Sequence, residues 1–296
     1  PSAALLATTV EQIQKIVAVC NKYKVPIWMI STGRNFGYGS AAPAERGQVV
    51  LDLKRMNRIL EVDPDLCFAL VEPGVTYKQL YDYIQDHKYP LWLSCPAPSA
   101  IAGPTGNTLD RGVGYTPYGE HFLFACGMEV VLANGEVLRT GMGSLPKSNT
   151  WQVFKWGYGP YLDGIFTQSN YGIVTKFGFW LMPAPPAFKP FVIQYENEDD
   201  IVEIVETIRP LRISGVIPNA IVIAHALYEA PTKAKRRDYV TGPGTITDEA
   251  VRQIMKDHKL GVWNVYAALY GTQAQIDVNW KIVTGAFSKS GKANIR

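Results

Sequence analysis

Along the first hundred residues the apolar positions switch repeatedly between helical spacing and short continuous runs. Val10, Ile13, Ile16, Val17 and Cys20 share one face at helical spacing, and Thr8-Thr9-Val10-Glu11-Gln12 ahead of them reads as a start of capping-box type. The run Val25 to Ile30 predicts a buried strand. Further strands are predicted at Gln48 to Leu53, Arg58 to Val62, Cys67 to Val71 and Pro90 to Leu93. Tyr77 to Asp86 predicts a helix with Leu80, Tyr81 and Ile84 turned inward. Gly127 to Ala133 and Glu136 to Thr140 flank Asn134-Gly135, a strong hairpin signal. Phe177 to Met182 closes this part as a strand. Pro183-Ala184-Pro185-Pro186 is the best candidate linker, so the expected domains are 1–185 and 187–296. Beyond it come strands at Phe191 to Tyr195, Ala220 to Ala226 and Trp263 to Tyr270. Helices are expected at Asp200 to Arg209, Asp248 to His258 (capped by Thr247) and Gln273 to Phe287. This order predicts an α+β fold followed by a separate α+β sandwich. No internal repeat is visible.

Composition narrows the class. Of 296 residues, 47% are apolar and 19% charged, enough for a real core. A net charge of +3, scattered along the chain, argues against a nucleic-acid partner. The basic run Lys233 to Arg237 reads as a solvated loop. No apolar run reaches membrane-spanning length, and no signal peptide is recognisable. Cys20, Cys67, Cys95 and Cys126 lack metal-ligand spacing and read as core thiols, and no metal site is expected. The chain opens on Pro1 and stops just after a helix, which reads as a segment of a longer protein.

The candidate chemistry begins at Ser31-Thr32-Gly33-Arg34-Asn35-Phe36-Gly37-Tyr38-Gly39-Ser40. A strand that exits into glycines and hydroxyl residues leaves backbone N–H groups free to wrap an anion, a diphosphate being the usual guest, although a plain turn has the same composition. The pattern is neither the dinucleotide fingerprint nor a P-loop. The stretch from Ser94 to Gly114 is rich in small residues, which let a flat ligand approach the backbone or pack a tight loop. His121 lies beside Tyr115, Tyr118 and Glu120 in a turn-rich segment and is a site candidate. Arg111 is placed to pair with Asp110 or to reach a ligand. No Ser/His/Asp set, metal cluster or close carboxylate pair stands out. The residues alone describe an α/β enzyme that binds an anionic, flat cofactor through glycine loops.

Ser31 to Gly39 also resembles the diphosphate loop of the vanillyl-alcohol oxidase and p-cresol methylhydroxylase flavoproteins. So do Glu72 to Tyr77, Gly106 to His121, Gly127 to Gly143 and Gln168 to Lys176. The run Arg111 to Gly119 is the most specific. Pro98 to Pro104, Asn149 to Gly159 and Trp263 to Lys281 place the likeness nearer the methylhydroxylase branch. The resemblance covers the whole chain and implies further segments on either side of it. It implies an FAD-binding domain of two α+β subdomains, followed by the first part of a cap domain over the isoalloxazine ring. The implied reaction is oxidation and hydroxylation of 4-alkylphenols, with hydride passing from the benzylic carbon to FAD N5 and water adding to a quinone methide. A phenolate oxygen pushes electrons through the ring, so donors that hold it lower the barrier.

Under this resemblance Tyr38 matches the tyrosine that hydrogen-bonds the phenolate, and Tyr115 one in the substrate cavity. Ser31, Thr32, Gly33, Arg34, Asn35, Phe36, Gly37 and Gly39 match the diphosphate loop. Glu72, Pro73, Gly74, Pro98, Ser99, Gly103, Asn107, Gly112, Gly172, Ile173 and Val174 fall in stretches that line FAD. The oxidase branch carries an aspartate in a Pro-Asp-Leu-Gly stretch where this chain reads Pro96-Ala97-Pro98-Ser99, without an acid. That implies the branch whose electrons go to a cytochrome c subunit, hence a periplasmic enzyme, with the flavoprotein as a homodimer. Two alternatives stay open: an oxygen-using phenol oxidase, and a truncated, inactive flavin-binding module. The residue that would bond FAD covalently lies outside this segment.

Overall fold

The computed structural model describes residues 2–97 and 99–296, and of Tyr38 the backbone only. It divides into two compact units, Pro1–Ala184 and Pro185–Arg296, at the proline-rich segment.

In the first unit, β1 (Ala3–Leu6), β2 (Ile27–Ile30) and β3 (Val49–Asp52) form a parallel sheet in the order β1-β3-β2. The connection through α1 (Val10–Tyr23) supplies the crossover that parallel pairing requires. Thr9 caps α1 by accepting from the Gln12 amide, while the Gln12 side chain reaches Thr8 rather than closing the box on Thr9. Ile13 and Val17 bury against Leu51, Leu53, Val131 and Ile173. A second, antiparallel sheet has the order β4-β5-β9-β7-β8. Its strands are β4 (Ile59–Asp63), β5 (Phe68–Val71), β7 (Ala125–Leu132), β8 (Val137–Arg139) and β9 (Gly172–Trp180). The helix α2 (Tyr77–Asp86) is capped by Thr76 and packs Leu80 and Ile84 into the core of that sheet. Tyr81 is a correction: it is 53% exposed, because it sits one residue past the inward stripe. A short pair, β6 (Leu91–Trp92) with β10 (Met182–Pro183), closes the unit.

The strand expected at Phe177 to Met182 begins five residues earlier and breaks before Met182. A six-residue helix, α3 (Pro104–Leu109), stands where the small-residue stretch gave a loop. Proline at its first position needs no N–H partner there. The four cysteines are free, and Cys95 is exposed rather than a core thiol.

The second unit is an antiparallel sheet in the order β12-β13-β11-β14. Its strands are β11 (Ala187–Tyr195), β12 (Val222–His225), β13 (Trp263–Gly271) and β14 (Asn294–Ile295). The helices α4 (Ile201–Ile213) and α7 (Gln273–Phe287) bring Ile204, Ile208, Ile276, Val283 and Phe287 against Phe191, Ile193, Val265 and Leu269. Two further helices, α5 (Ala226–Lys233) and α6 (Asp248–His258), lie between β12 and β13 in sequence. The sequence pattern missed α5, whose Pro231 sits inside the helix.

Candidate functional site

The site is organised around α3. The strand β2 ends at Ile30, and Gly33 takes φ +67°, a left-handed turn that a side chain would strain. The chain then runs along α3. Ser31 Oγ lies against Gly106, where a Cβ would collide with it, and a Cβ on Gly103 would come 2.9 Å from the Val75 carbonyl and 3.1 Å from Thr32 Cγ2. Asn35 Nδ2 donates to Asp110 Oδ2 at 2.6 Å, which ties the loop to the end of the helix. Burial raises the Asp110 carboxyl above its usual range, opposed by the Asn35 bond. Among the described residues, the amides of Thr32, Gly33 and Arg34 donate to no protein acceptor.

The stretch after α3 is held as firmly. Gln168 donates its amide to Leu109 O at 2.8 Å and its side-chain Nε2 to Asp110 O at 3.1 Å. Arg111 Nε donates to Thr167 Oγ1 at 2.9 Å, and its guanidinium lies 4.1 Å from the Phe122 ring centre. Arg111 (φ +57°) and Gln168 (φ +47°) are both left-handed without being glycine, a cost that these bonds offset. Asn107 Oδ1 lies 2.5 Å from His121 Nδ1, and its amide group fills the space where Gly112 would carry a Cβ. Burial pushes the His121 imidazole down to about 4, with the Ser94 carbonyl opposing.

Several candidates therefore meet: Ser31, Thr32 and Asn35 lie against α3 or its ends, Asn107 is within it, and Gly103 and Gly112 flank it, while Gly33 turns the chain toward it. Arg34, Phe36, Gly37 and Gly39 are exposed in the loop after β2, and Tyr115 is 44% exposed on the loop after α3. Ser99 Oγ accepts from the Ile101 amide at 3.2 Å. Others are occupied in the architecture. The buried Glu72 carboxylate accepts from Arg58 N, Nε and Nη2 at 2.8, 3.0 and 2.6 Å. Pro73 is buried, and Gly74 is required because a Cβ there would come 2.6 Å from the Lys54 carbonyl. Gly172, Ile173 and Val174 pair with Leu132, Val131 and Val130, and the Ile173 and Val174 side chains are core. The expectations for Pro98 and for the Tyr38 side chain fall outside the described residues.

Sequence reasoning passed over Gly106, Ser94, Thr105 and Ser169. The last three carry buried hydroxyls without a partner among the described residues, as does His121 Nε2. Gly106, Ser94 and Thr105 had a signal, in that they sit within the small-residue stretch; Ser169 lies outside it.

This arrangement fits a flavin dinucleotide. The free amides of the β2 exit are donors for a diphosphate, the glycines at 103 and 106 keep the backbone open, and the hydroxyls of Thr105 and Ser169 are buried polar atoms awaiting partners. Among the described residues no cluster of metal ligands occurs, and no helix is long and apolar enough to cross a membrane.

Comparison with known proteins gives the same cofactor. Residues 1–141 match the family described as FAD binding domain. The chain is 66% identical over its whole length to the 4-cresol dehydrogenase [hydroxylating] flavoprotein subunit of Pseudomonas putida, of which it covers 57%. The solved structure of p-cresol methylhydroxylase with substrate bound matches 99% of the chain at TM-score 0.95 and 65% identity, with 57% of that chain covered. The 4-ethylphenol oxidase of Gulosibacter chungangensis, solved as an isoeugenol complex, matches 99% of the chain at TM-score 0.96 and 42% identity, with 56% of that chain covered. The chain thus spans a little over half the length of these relatives.

Proposed function

We propose that the chain, whose residues 1–141 match the FAD binding domain family and whose fold is the FAD-binding fold of the vanillyl-alcohol oxidase type, is the flavin-carrying part of a 4-alkylphenol dehydrogenase. The observation that carries this reading is the likeness to the hydroxylating 4-cresol dehydrogenase subunit, which runs through both units without interruption. The missing acid at 96–99 supports the dehydrogenase over the oxygen-using oxidase. Electrons then leave through a cytochrome c subunit, and the protein works in the periplasm as a homodimer. Residues 187–296 are the first part of the cap.

Ser31 to Gly39 hold the diphosphate with backbone donors, and Asn35 keeps that loop against Asp110. FAD, when bound, supplies a hydride acceptor. Tyr38 donates to the phenolic oxygen, favouring the phenolate, and Tyr115 bounds the substrate cavity. Loss of the phenolic proton and of a benzylic hydride leaves a quinone methide, and water adds to it to give the benzylic alcohol. A donor to a charged oxygen contributes about 1.5–3 kcal/mol, so Tyr38→Phe should slow reduction of the enzyme by 4-methylphenol or weaken its binding roughly ten- to a hundredfold.

The test is anaerobic mixing of the full-length, flavin-loaded protein with 4-methylphenol. Bleaching of the flavin with formation of 4-hydroxybenzyl alcohol is expected, followed by slow reoxidation in oxygen and fast reoxidation by a c-type cytochrome. Rapid reoxidation by oxygen would sink the dehydrogenase reading, and absence of bleaching would leave a binding module.

A further inference from the structure

Among the described residues His121 is the one buried histidine, at 7% exposure. Its two ring nitrogens face different surroundings. Nδ1 lies 2.5 Å from Asn107 Oδ1, and with that oxygen accepting, the proton of a neutral ring sits on Nδ1. Nε2 is then a bare lone pair. It makes no hydrogen bond among the described residues, and neither does the neighbouring Ser94 Oγ. Both atoms lie against the Cα of Gly114, where a Cβ would strike each of them. They open on a cavity of about 20 Å³ lined also by Tyr77, Thr108, Tyr118 and Phe124, enough for the centre of one water. The Ser94 carbonyl faces the ring as well. A lone pair, a hydroxyl and a carbonyl around a water-sized space are what one water satisfies, since it has two hydrogens to give.

The ring is also the hub of the loop that carries Tyr115. Asn107, held by Nδ1, packs its amide on Gly112, and the Gly112 amide donates to Asn107 O at 2.8 Å. Nε2 abuts Gly114, whose amide donates to Gly119 O at 2.8 Å, while the Gly119 amide donates to Thr116 O at 2.9 Å. Tyr115 lies between these fixed points. The titratable groups around the ring are Tyr77 from α2, at 6.4 Å between centroids, with Tyr118 and Cys95 from the adjoining loops; among the described residues no carboxylate, lysine or arginine lines the cavity.

We propose that His121 is a positioning residue: a neutral, Nδ1-protonated imidazole, completed by one water shared with Ser94, that sets the loop from Gly112 to Gly119 and so the placement of Tyr115. Only the part that concerns substrate rests on the phenol-oxidising reading.

The experiment uses the full-length flavin-loaded protein with ¹⁵N-labelled histidine. Between pH 5 and pH 8 the His121 ring should keep the shifts of the neutral Nδ1–H tautomer while the other histidines titrate. A ring that carries its proton on Nε2, or charges together with the others, overturns the proposal. In His121→Gln, amide exchange at Gly112, Gly114 and Gly119 should quicken at least tenfold, with β7 amides unchanged. Equal quickening in β7 means general destabilisation and overturns it, as does no change at the glycines. Flavin reduction by 4-methylphenol should slow about tenfold with flavin content intact. Ser94→Ala, the milder variant, should quicken the same glycine amides less, and no change there removes the shared water. If the parent protein does not react with the phenol at all, the functional reading fails while the tautomer and exchange results still decide this one.

Discussion

Buried polar side chains are treated differently in the two units. In the second, Asn264 is fully buried and satisfied: its Oδ1 accepts from Gln194 Nε2 at 2.7 Å and from the Gly261 amide at 3.0 Å, and its Nδ2 donates to Gly261 O at 2.9 Å. One orphan remains there among the described residues, Tyr195 Oη. In the first unit, Ser94, Thr105, His121 and Ser169 leave polar atoms unpaired near α3, and Trp151, Gln152 and Asp163 do so beside the bulge at Gly127. A satisfied network specifies architecture. Unsatisfied groups raise the free energy of the unliganded state, so they persist where something else completes them. The first unit is unfinished at α3 in a way the second is not.

The largest effect expected from this contrast is in the second unit. Asn264→Ala strands the Gly261 amide and carbonyl and one of the two Gln194 Nε2 hydrogens in the core, the other keeping its bond to Lys259 O at 2.8 Å, and should cost about 4 kcal/mol. Urea melts should show it as a lowered transition, and flavin content should not change. A fall in flavin content with intact stability would break the division between the two regions.

The next effect concerns pH. The His121 imidazole titrates near 6.5 when unfolded and is pushed by burial down to about 4 in the fold. The unfolded state therefore binds more protons between those values, so stability rises with pH across the window. The contribution is complete above about pH 6.5 and lost as pH falls toward 4, on the order of 3 kcal/mol. Glu129 moves in the same sense. Burial alone would raise it, but the bonds from Lys176 (2.9 Å) and Arg139 (2.8 Å) outweigh that and hold it below the usual carboxylate range. Denaturant melts at pH 7 and pH 5 on the parent and on His121→Gln isolate the histidine part, since a carboxylate held below its usual range keeps its charge across that window and its contribution is lost only at lower pH. A parent whose stability is flat over that range contradicts the burial argument.

Gly103→Ala comes third. Its Cβ would meet the Val75 carbonyl, which is backbone and cannot yield cheaply, and Thr32 of the loop after β2. Flavin content of the purified protein should fall, with affinity weakened about a hundredfold, equivalent to about 2.7 kcal/mol. Full flavin occupancy in this variant would detach the glycine stretch from the cofactor.

Much of the fold was legible because its signals are local. Capping threonines at 76, 247 and 272 place three helix starts as the periodicity does, and Asn134-Gly135 fixes a hairpin. The site was legible only in part. Glycines mark where backbone must come close, but not what comes close. Gly74 serves the Lys54 carbonyl and Gly103 the β2 exit, and the sequence writes both with the same letter. Glu72 falls in a stretch that lines the cofactor in the resembling family, yet its carboxylate accepts three bonds from Arg58, fourteen residues away. Ser94 and Ser169 became visible only when the fold left them without partners. Ile173 and Val174 fell in a matching stretch because the strand that carries them continues into the core.

The smallest effect sharpens the comparison from the other side. Gly285 lies on the exposed face of α7, at an ordinary helical φ, with nothing within 4 Å of an added Cβ. Alanine there loses less conformational freedom on folding and meets no neighbour, so Gly285→Ala should stabilise by about 1 kcal/mol. Placed beside Gly103→Ala it is the same chemical change, one methyl group, with opposite outcome: a higher melting midpoint with flavin unchanged, against a flavin-poor protein. If both variants lose flavin, or both keep it, glycine at α3 carries no more meaning than glycine in a helix, and the cradle assigned to 103 and 106 is ordinary packing.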